Sequence, residues 1–101
     1  MPMKCFELVI YSVKKPLIDD YLKYHQSVIT QLKQQPGFVS FTTFKNATNN
    51  SIMDKVYWET KEDALRAYTL FKQLPCAKDF MRCIENVHYT GHFNDETILN
   101  Q

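Results

Sequence analysis

A single tryptophan, one carboxylate set among apolar neighbours and three histidines are the residues of this chain that could do chemistry. The tryptophan, Trp58, lies in the stretch Ile52–Glu62, which reads as a strand running straight into a helix start. An indole there can stack on a flat molecule and donate one hydrogen bond, or simply pack the corner between strand and helix. Glu7 is flanked by Phe6, Leu8 and Val9. If its side of the strand faces a cavity, burial raises its pKa and makes it a general base for a phenolic or enolic proton. Near a strand end it would instead meet solvent or pair with Lys55. His88 and His92 flank Thr90 on one expected strand face. Four residues of strand separate them by about 13 Å, so they cannot share a metal ion. Each could serve singly as a base or orient a substrate oxygen, or be a surface imidazole. His25 falls on the apolar stripe of a helix, where it is either hydrogen-bonded in the core or, on reaching a cavity, a further base.

Tyr11, Tyr57, Tyr68 and Tyr89 could each donate to a substrate oxygen, Tyr11 and Tyr68 foremost, with most of the four expected in the core or a dimer interface. Cys76 follows Pro75 at a helix N-terminus, a place that lowers a thiol pKa. No partner for it is identifiable, and an inert buried thiol is the simpler reading.

The elements that must position these groups follow from periodicity. Lys4 to Val13 is β-rich: Phe6, Leu8 and Ile10 share one parity, Cys5, Glu7, Val9, Tyr11 and Val13 the other. A strand apolar on both faces is covered on both faces. Pro16 opens a helix in which Ile18, Tyr21, Leu22, His25, Val28, Ile29 and Leu32 recur at helical spacing, and Pro36-Gly37 ends it. Phe38 to Asn46 alternates as a strand, with Phe38, Ser40, Thr42 and Phe44 opposite Val39, Phe41 and Thr43. A polar turn leads into a third strand presenting Ile52, Asp54, Val56 and Trp58 on one face. Thr60 caps a second helix over about 61–73, with Glu62 and Asp63 in its first turn. A short third helix from about Cys76 carries Ala77, Phe80, Met81 and Ile84. A last strand runs from about Asn86 to Phe93, with Val87, Tyr89, Gly91 and Phe93 opposite His88, Thr90 and His92. The order is α+β, a ferredoxin-like βαββαβ plan with an antiparallel four-stranded sheet and helices on one face. One domain spans 1–101, with its core at about 4–93 and a tail over 94–101.

Composition narrows the function classes. The chain has 101 residues, is 45% hydrophobic and carries a net charge of +1, so no electrostatic pull toward nucleic acid or an anionic membrane is expected. The RNA recognition motif shares this element order, but Ile52–Trp58 lacks the glycine-rich strand signature and no basic patch accompanies it. No apolar run approaches the ~18 residues of a membrane span, and the N-terminal run, broken by Lys4 and Glu7, has no cleavage site after it. Three cysteines without CxxC spacing point to reduced thiols in a cytoplasm, with no metal site. The seven phenylalanines and six tyrosines suggest a lined cavity or an interface beyond the core.

Over roughly residues 4 to 93 the chain resembles the antibiotic biosynthesis monooxygenase (ABM) family of dimeric α+β barrels. The residues that carry the likeness are Gln34-Gln35-Pro36-Gly37-Phe38, the Phe38-Val39-Ser40-Phe41 strand after it, and Val56-Tyr57-Trp58-Glu59-Thr60-Lys61-Glu62-Asp63-Ala64. The resemblance implies a homodimer packed through its sheet faces and a cavity between sheet and helices. It also implies oxidation of electron-rich phenols, anthrones or quinols by dioxygen with no cofactor, with Trp58 in the active-site region. The haem-degrading branch is not matched: strand one has no asparagine, and the positions around Ala67 and Ala77 hold neither its tryptophan nor its histidine. The reading is therefore a cofactor-independent monooxygenase for a small aromatic or quinone-like compound. Trp58, Tyr11 and Tyr68 would bind it, and Glu7, His25, His88 or His92 would move its proton. The alternative is a non-catalytic dimeric barrel that binds a small apolar ligand or serves as a regulatory module.

Overall fold

Two turns frame the molecule. Gly37 adopts a φ of +81°, a backbone conformation that side chains disfavour, and a Cβ there would also run into the Asp63 side chain. Its carbonyl accepts the Glu59 N–H at 2.8 Å, tying the end of the first helix to the start of the second. Thr60 Oγ1 accepts the Asp63 N–H at 3.1 Å, so the second helix begins with the cap expected of it.

The computed structural model describes residues 3–101; Met1 and Pro2 of the 1–101 domain lie outside the described residues. Its elements are β1 (Cys5–Val13), α1 (Ile18–Leu32) after a 3-10 turn, β2 (Phe38–Lys45), β3 (Ser51–Trp58), α2 (Lys61–Phe71), α3 (Ala77–Arg82) and β4 (Ile84–Asn94). The four strands form one antiparallel sheet in the order β2-β3-β1-β4. This is the α+β, ferredoxin-like arrangement expected from the sequence, with α1, α2 and α3 on one face.

Register decides which side chains face those helices. Cys5, Glu7, Val9 and Tyr11 of β1 pair with Trp58, Val56, Asp54 and Ile52 of β3. All eight therefore share the inner face, since directly opposed residues point the same way. Three irregularities depart from strict alternation, one of them at Glu85, where β1 steps from Ser12↔Asn86 to Val13↔Ile84. A bulge at Val39 puts Phe38 opposite Trp58 but Ser40 opposite Tyr57, so Phe38 joins Phe41 and Thr43 on the inner face. The third lies at His88, where β1 steps from Ile10↔Tyr89 to Tyr11↔Val87. Val87, Thr90 and His92 face inward, while His88 sits on the outer face, its Nε2 2.6 Å from Ser12 Oγ. His88 and His92 thus do not share a face, contrary to the simple alternation.

Ile84 is a strand residue paired with Val13, not the last turn of α3, so β4 begins two residues before the expected Asn86. The buried stripe of α1 is Tyr21, His25, Val28 and Leu32; Ile18 and Leu22 stay more than half exposed. The outer face carries an aromatic ladder. Phe6 lies 5.1 Å from Tyr57 and 5.3 Å from Phe93, and the Lys55 ammonium sits 4.7 Å from the Phe6 ring centre. Lys55 and Glu7 lie on opposite faces and do not pair. Among the described residues no helix is long and apolar enough to cross a membrane.

Candidate functional site

The inner face of the sheet and the helices do not meet everywhere. Ala64 and Ala67 of α2 face the sheet with side chains too short to fill the gap, and a cavity of about 360 Å³ remains. Apolar volume of this size with a few polar groups is the usual form of a small-molecule site. Trp58, Phe41, Phe71 and Phe80 form aromatic walls; Tyr68, Lys72, Met81, Val87 and Thr90, all solvent-exposed, ring the mouth. Trp58 is 2% exposed and sets its indole edge-on to Phe38 at 5.7 Å, so it is both core and cavity wall.

Two carboxylates line this cavity, and their surroundings differ. Asp54 is saturated. Tyr11 donates to its Oδ2 at 2.7 Å, Thr43 donates to its Oδ1 at 2.8 Å, and His25 Nε2 lies 3.1 Å from Oδ1. A carboxylate only accepts, so the His25 proton facing it sits on Nε2. Tyr21, whose hydroxyl is 2.7 Å from that of Tyr11, donates to Tyr11 in turn. Burial, with the Asp54 charge next in importance, pushes the Tyr11 hydroxyl far above the ordinary phenol value, and burial pushes Tyr21 up to about 12. Both stay protonated donors.

Glu7 has no such cage. Among the described residues no hydrogen bond reaches it, and the His92 Nε2, 3.3 Å from Oε2, is set off the hydrogen-bonding direction. Burial first, and then the charge of Asp54, push the Glu7 carboxyl up to about 7. Burial in turn lowers the pKa of His92, whose ring stands edge-on to Tyr68 at 5.3 Å. A carboxyl with a pKa near 7 on an apolar wall can take or give a proton at neutral pH.

The residues singled out from the sequence are therefore distributed as follows. Glu7, Tyr11, Trp58 and Tyr68 line the cavity; His92 stands behind Glu7; His25 lies beneath the cavity, held by Asp54; His88 is on the far face. Asp54, Thr43 and Tyr21 were not singled out. For Asp54 the signal was present: a lone acid on the Ile52–Val56–Trp58 parity is the same pattern that draws attention to Glu7. Cys5, Cys76 and Cys83 are buried free thiols whose pKa values burial raises, against the lowering a helix N-terminus would give Cys76.

The fold matches SnoaB, a cofactor-independent oxygenase from Streptomyces nogalater, with a TM-score of 0.78 and 19% identity over 98% of this chain and 99% of that one. It also matches candidate antibiotic biosynthesis monooxygenases from Nitrosomonas europaea and Chloroflexus aurantiacus, each with a TM-score of 0.69. Their identities are 13% over 97% of this chain and 93% of that one, and 11% over 96% and 97%. At these identities the likeness is one of fold. No family profile and no curated protein sequence matches the chain.

Proposed function

We propose that the protein is a cofactor-independent monooxygenase for a small aromatic or quinol-type compound, with Glu7 as its acid–base group. The observation that carries this reading is the Glu7 carboxyl itself, without a hydrogen-bond partner among the described residues, on the wall of an aromatic cavity. Trp58 stacks on the ring, and Tyr68 closes over it from the mouth. Glu7 takes the phenolic proton, and the phenolate passes an electron to dioxygen. The radical pair joins a C–O bond at a ring carbon, and Glu7 returns the proton to the distal oxygen. The C–H proton at that carbon and the distal hydroxide then leave as water, giving a quinone carbonyl. One oxygen atom enters the product and the other enters water; the substrate supplies all four electrons. His25 and His88 have no part in this scheme, and Tyr11 serves by holding Asp54 in place rather than by touching substrate.

The outer face supports a second copy as its cover. Tyr89 and Phe93, on the side of Phe6 and Tyr57, and Phe44, opposite Met53 on the same outer face, are each more than 40% exposed, apolar surface that water does not favour. Two such faces packed about a two-fold axis would bury it. Light scattering should give twice the chain mass of 12.0 kDa, and a monomer mass for wild type at micromolar concentration contradicts the dimer. We place the protein in a cytoplasm, where three free thiols stay reduced.

Oxygen uptake with a panel of hydroquinones, naphthols and anthrones tests the activity. Wild type should consume dioxygen with a rate that rises as pH passes about 7, where Glu7 becomes a base. Glu7→Gln should lower the rate by about 10²–10⁴-fold, the usual contribution of a positioned acid–base group. Ligand binding without any uptake would make the protein a binding module instead.

A further inference from the structure

The cavity's charge points to the kind of aromatic molecule it accepts. Of the groups lining it, Glu7 and Asp54 are both acids, on neighbouring strands of one sheet face. Glu7 is opposite Val56 and Asp54 is opposite Val9, which makes the two acids diagonal neighbours, about 7–8 Å apart by sheet geometry. Among the described residues, nothing inside the chamber offsets them with a free positive charge. From α1, His25 is spent on Asp54; from β4, His92 stands behind Glu7, and burial disfavours its charged form. From α2 come Tyr68 and Lys72, and Lys72 is an exposed residue of the lining, so that water screens its charge. The part of α3 at the cavity is apolar, Phe80 and Met81.

Hydrogen-bonding capacity points the same way. The Tyr11 hydroxyl is committed to Asp54 and Tyr21, so it offers a ligand no proton. Both Asp54 oxygens are occupied. Among the described residues the carboxylate left free on the cavity wall is Glu7, and an acceptor selects a ligand that brings a donor.

We infer that the cavity selects aromatic ligands that carry a hydroxyl or amino donor toward Glu7 and bear no anionic group. Aromatic carboxylates and sulfonates of the same size are rejected by the paired acids. This rests on the reading of the cavity as the ligand site, and deepens it.

Three naphthalene probes of matched shape separate the two ideas: 2-naphthol, 2-naphthoate and 2-(aminomethyl)naphthalene. Affinities come from calorimetry on the full chain, and occupancy of the cavity from the single indole N–H resonance of Trp58, the only tryptophan. At pH 8 the naphthol and the ammonium probe should each bind about tenfold or more tightly than naphthoate, since an uncompensated charge in a weakly screened cavity costs at least that. Glu7→Gln keeps the side-chain shape, and should tighten naphthoate at pH 8 while loosening the ammonium probe. Lowering the pH of wild type to 5.5 should do the same, because Glu7 then gains its proton. Naphthoate binding within twofold of naphthol at pH 8, with the Trp58 resonance shifted by both, overturns the charge selection and leaves the cavity site standing. No Trp58 shift with any probe overturns the cavity site and the inference with it.

Discussion

Glu7 and Asp54 are two carboxylates on one face of one sheet, lining one cavity, and they have opposite fates. Asp54 accepts from a tyrosine, a threonine and a histidine that come from β1, β2 and α1. Those donors replace water so completely that the group becomes a joint between three elements. Glu7 is half-buried, its side chain 18% exposed against 9% for Asp54, and is without hydrogen-bond partners among the described residues. A buried acid with its donors holds a fold together; a buried acid without them keeps its chemistry available.

The sharpest way to break this contrast is to remove the joint. Asp54→Ala leaves the Tyr11, Thr43 and His25 donors facing an empty site, and should destabilise the protein by about 3–5 kcal/mol. Urea unfolding monitored by Trp58 fluorescence reads this directly. A loss below about 1 kcal/mol would show that the cage is ornamental.

Glu7 should behave in the reverse sense. Its folded pKa lies above that of an unfolded glutamate, so the folded chain binds more protons between the ordinary carboxylate value and about 7. Stability therefore falls as pH rises through that window, and no further above it. A shift of this size corresponds to at most about 3–4 kcal/mol. Glu7→Gln should be neutral at pH 4, and more stable than wild type by up to that amount at pH 8. Equal stability at both pH values would contradict the unsatisfied state of Glu7. A variant that gains stability while losing oxygen uptake would mark the residue as kept for function.

A smaller effect tests the chain of hydrogen bonds. Tyr11→Phe keeps the ring and deletes one donor to Asp54, which should cost about 1.5–3 kcal/mol, as for a hydrogen bond to a charged group. Trp58→Phe should be smaller still in its effect on ligand. It keeps an aromatic wall but loses part of the stacking area, weakening naphthol by roughly 3–10-fold. Calorimetry with the same probe checks it; unchanged affinity would place the indole in the core alone.

Much of this architecture could be read in the chain before its coordinates. Pro36-Gly37 and Thr60 marked the helix ends because backbone chemistry at those points admits few alternatives. The parity of β1 put Glu7 on the face that proved to line the cavity, because the alternation of β1 stays regular from Cys5 to Ile10. Where alternation was interrupted, the reading failed. The bulges at Val39 and His88 each add a residue without a local signature, and each turned part of a strand to the other face. Partnership was the other thing out of reach. Glu7 and Asp54 look alike in sequence, each an acid in an apolar strand. Only the packing of α1 against β3, which brings His25 to Asp54, tells them apart.

The contrast between the two acids is most directly tested by titrating the side-chain carboxyl carbons by NMR in protein labelled at glutamate. The Glu7 resonance should move with a midpoint near pH 7, well above the other glutamates, and return toward an ordinary value when His92 or the aromatic wall is opened to water. A Glu7 midpoint in the ordinary range of about 4–5 in the intact protein would contradict a desolvated carboxyl without hydrogen bonds, and with it the role given to Glu7 in the cavity.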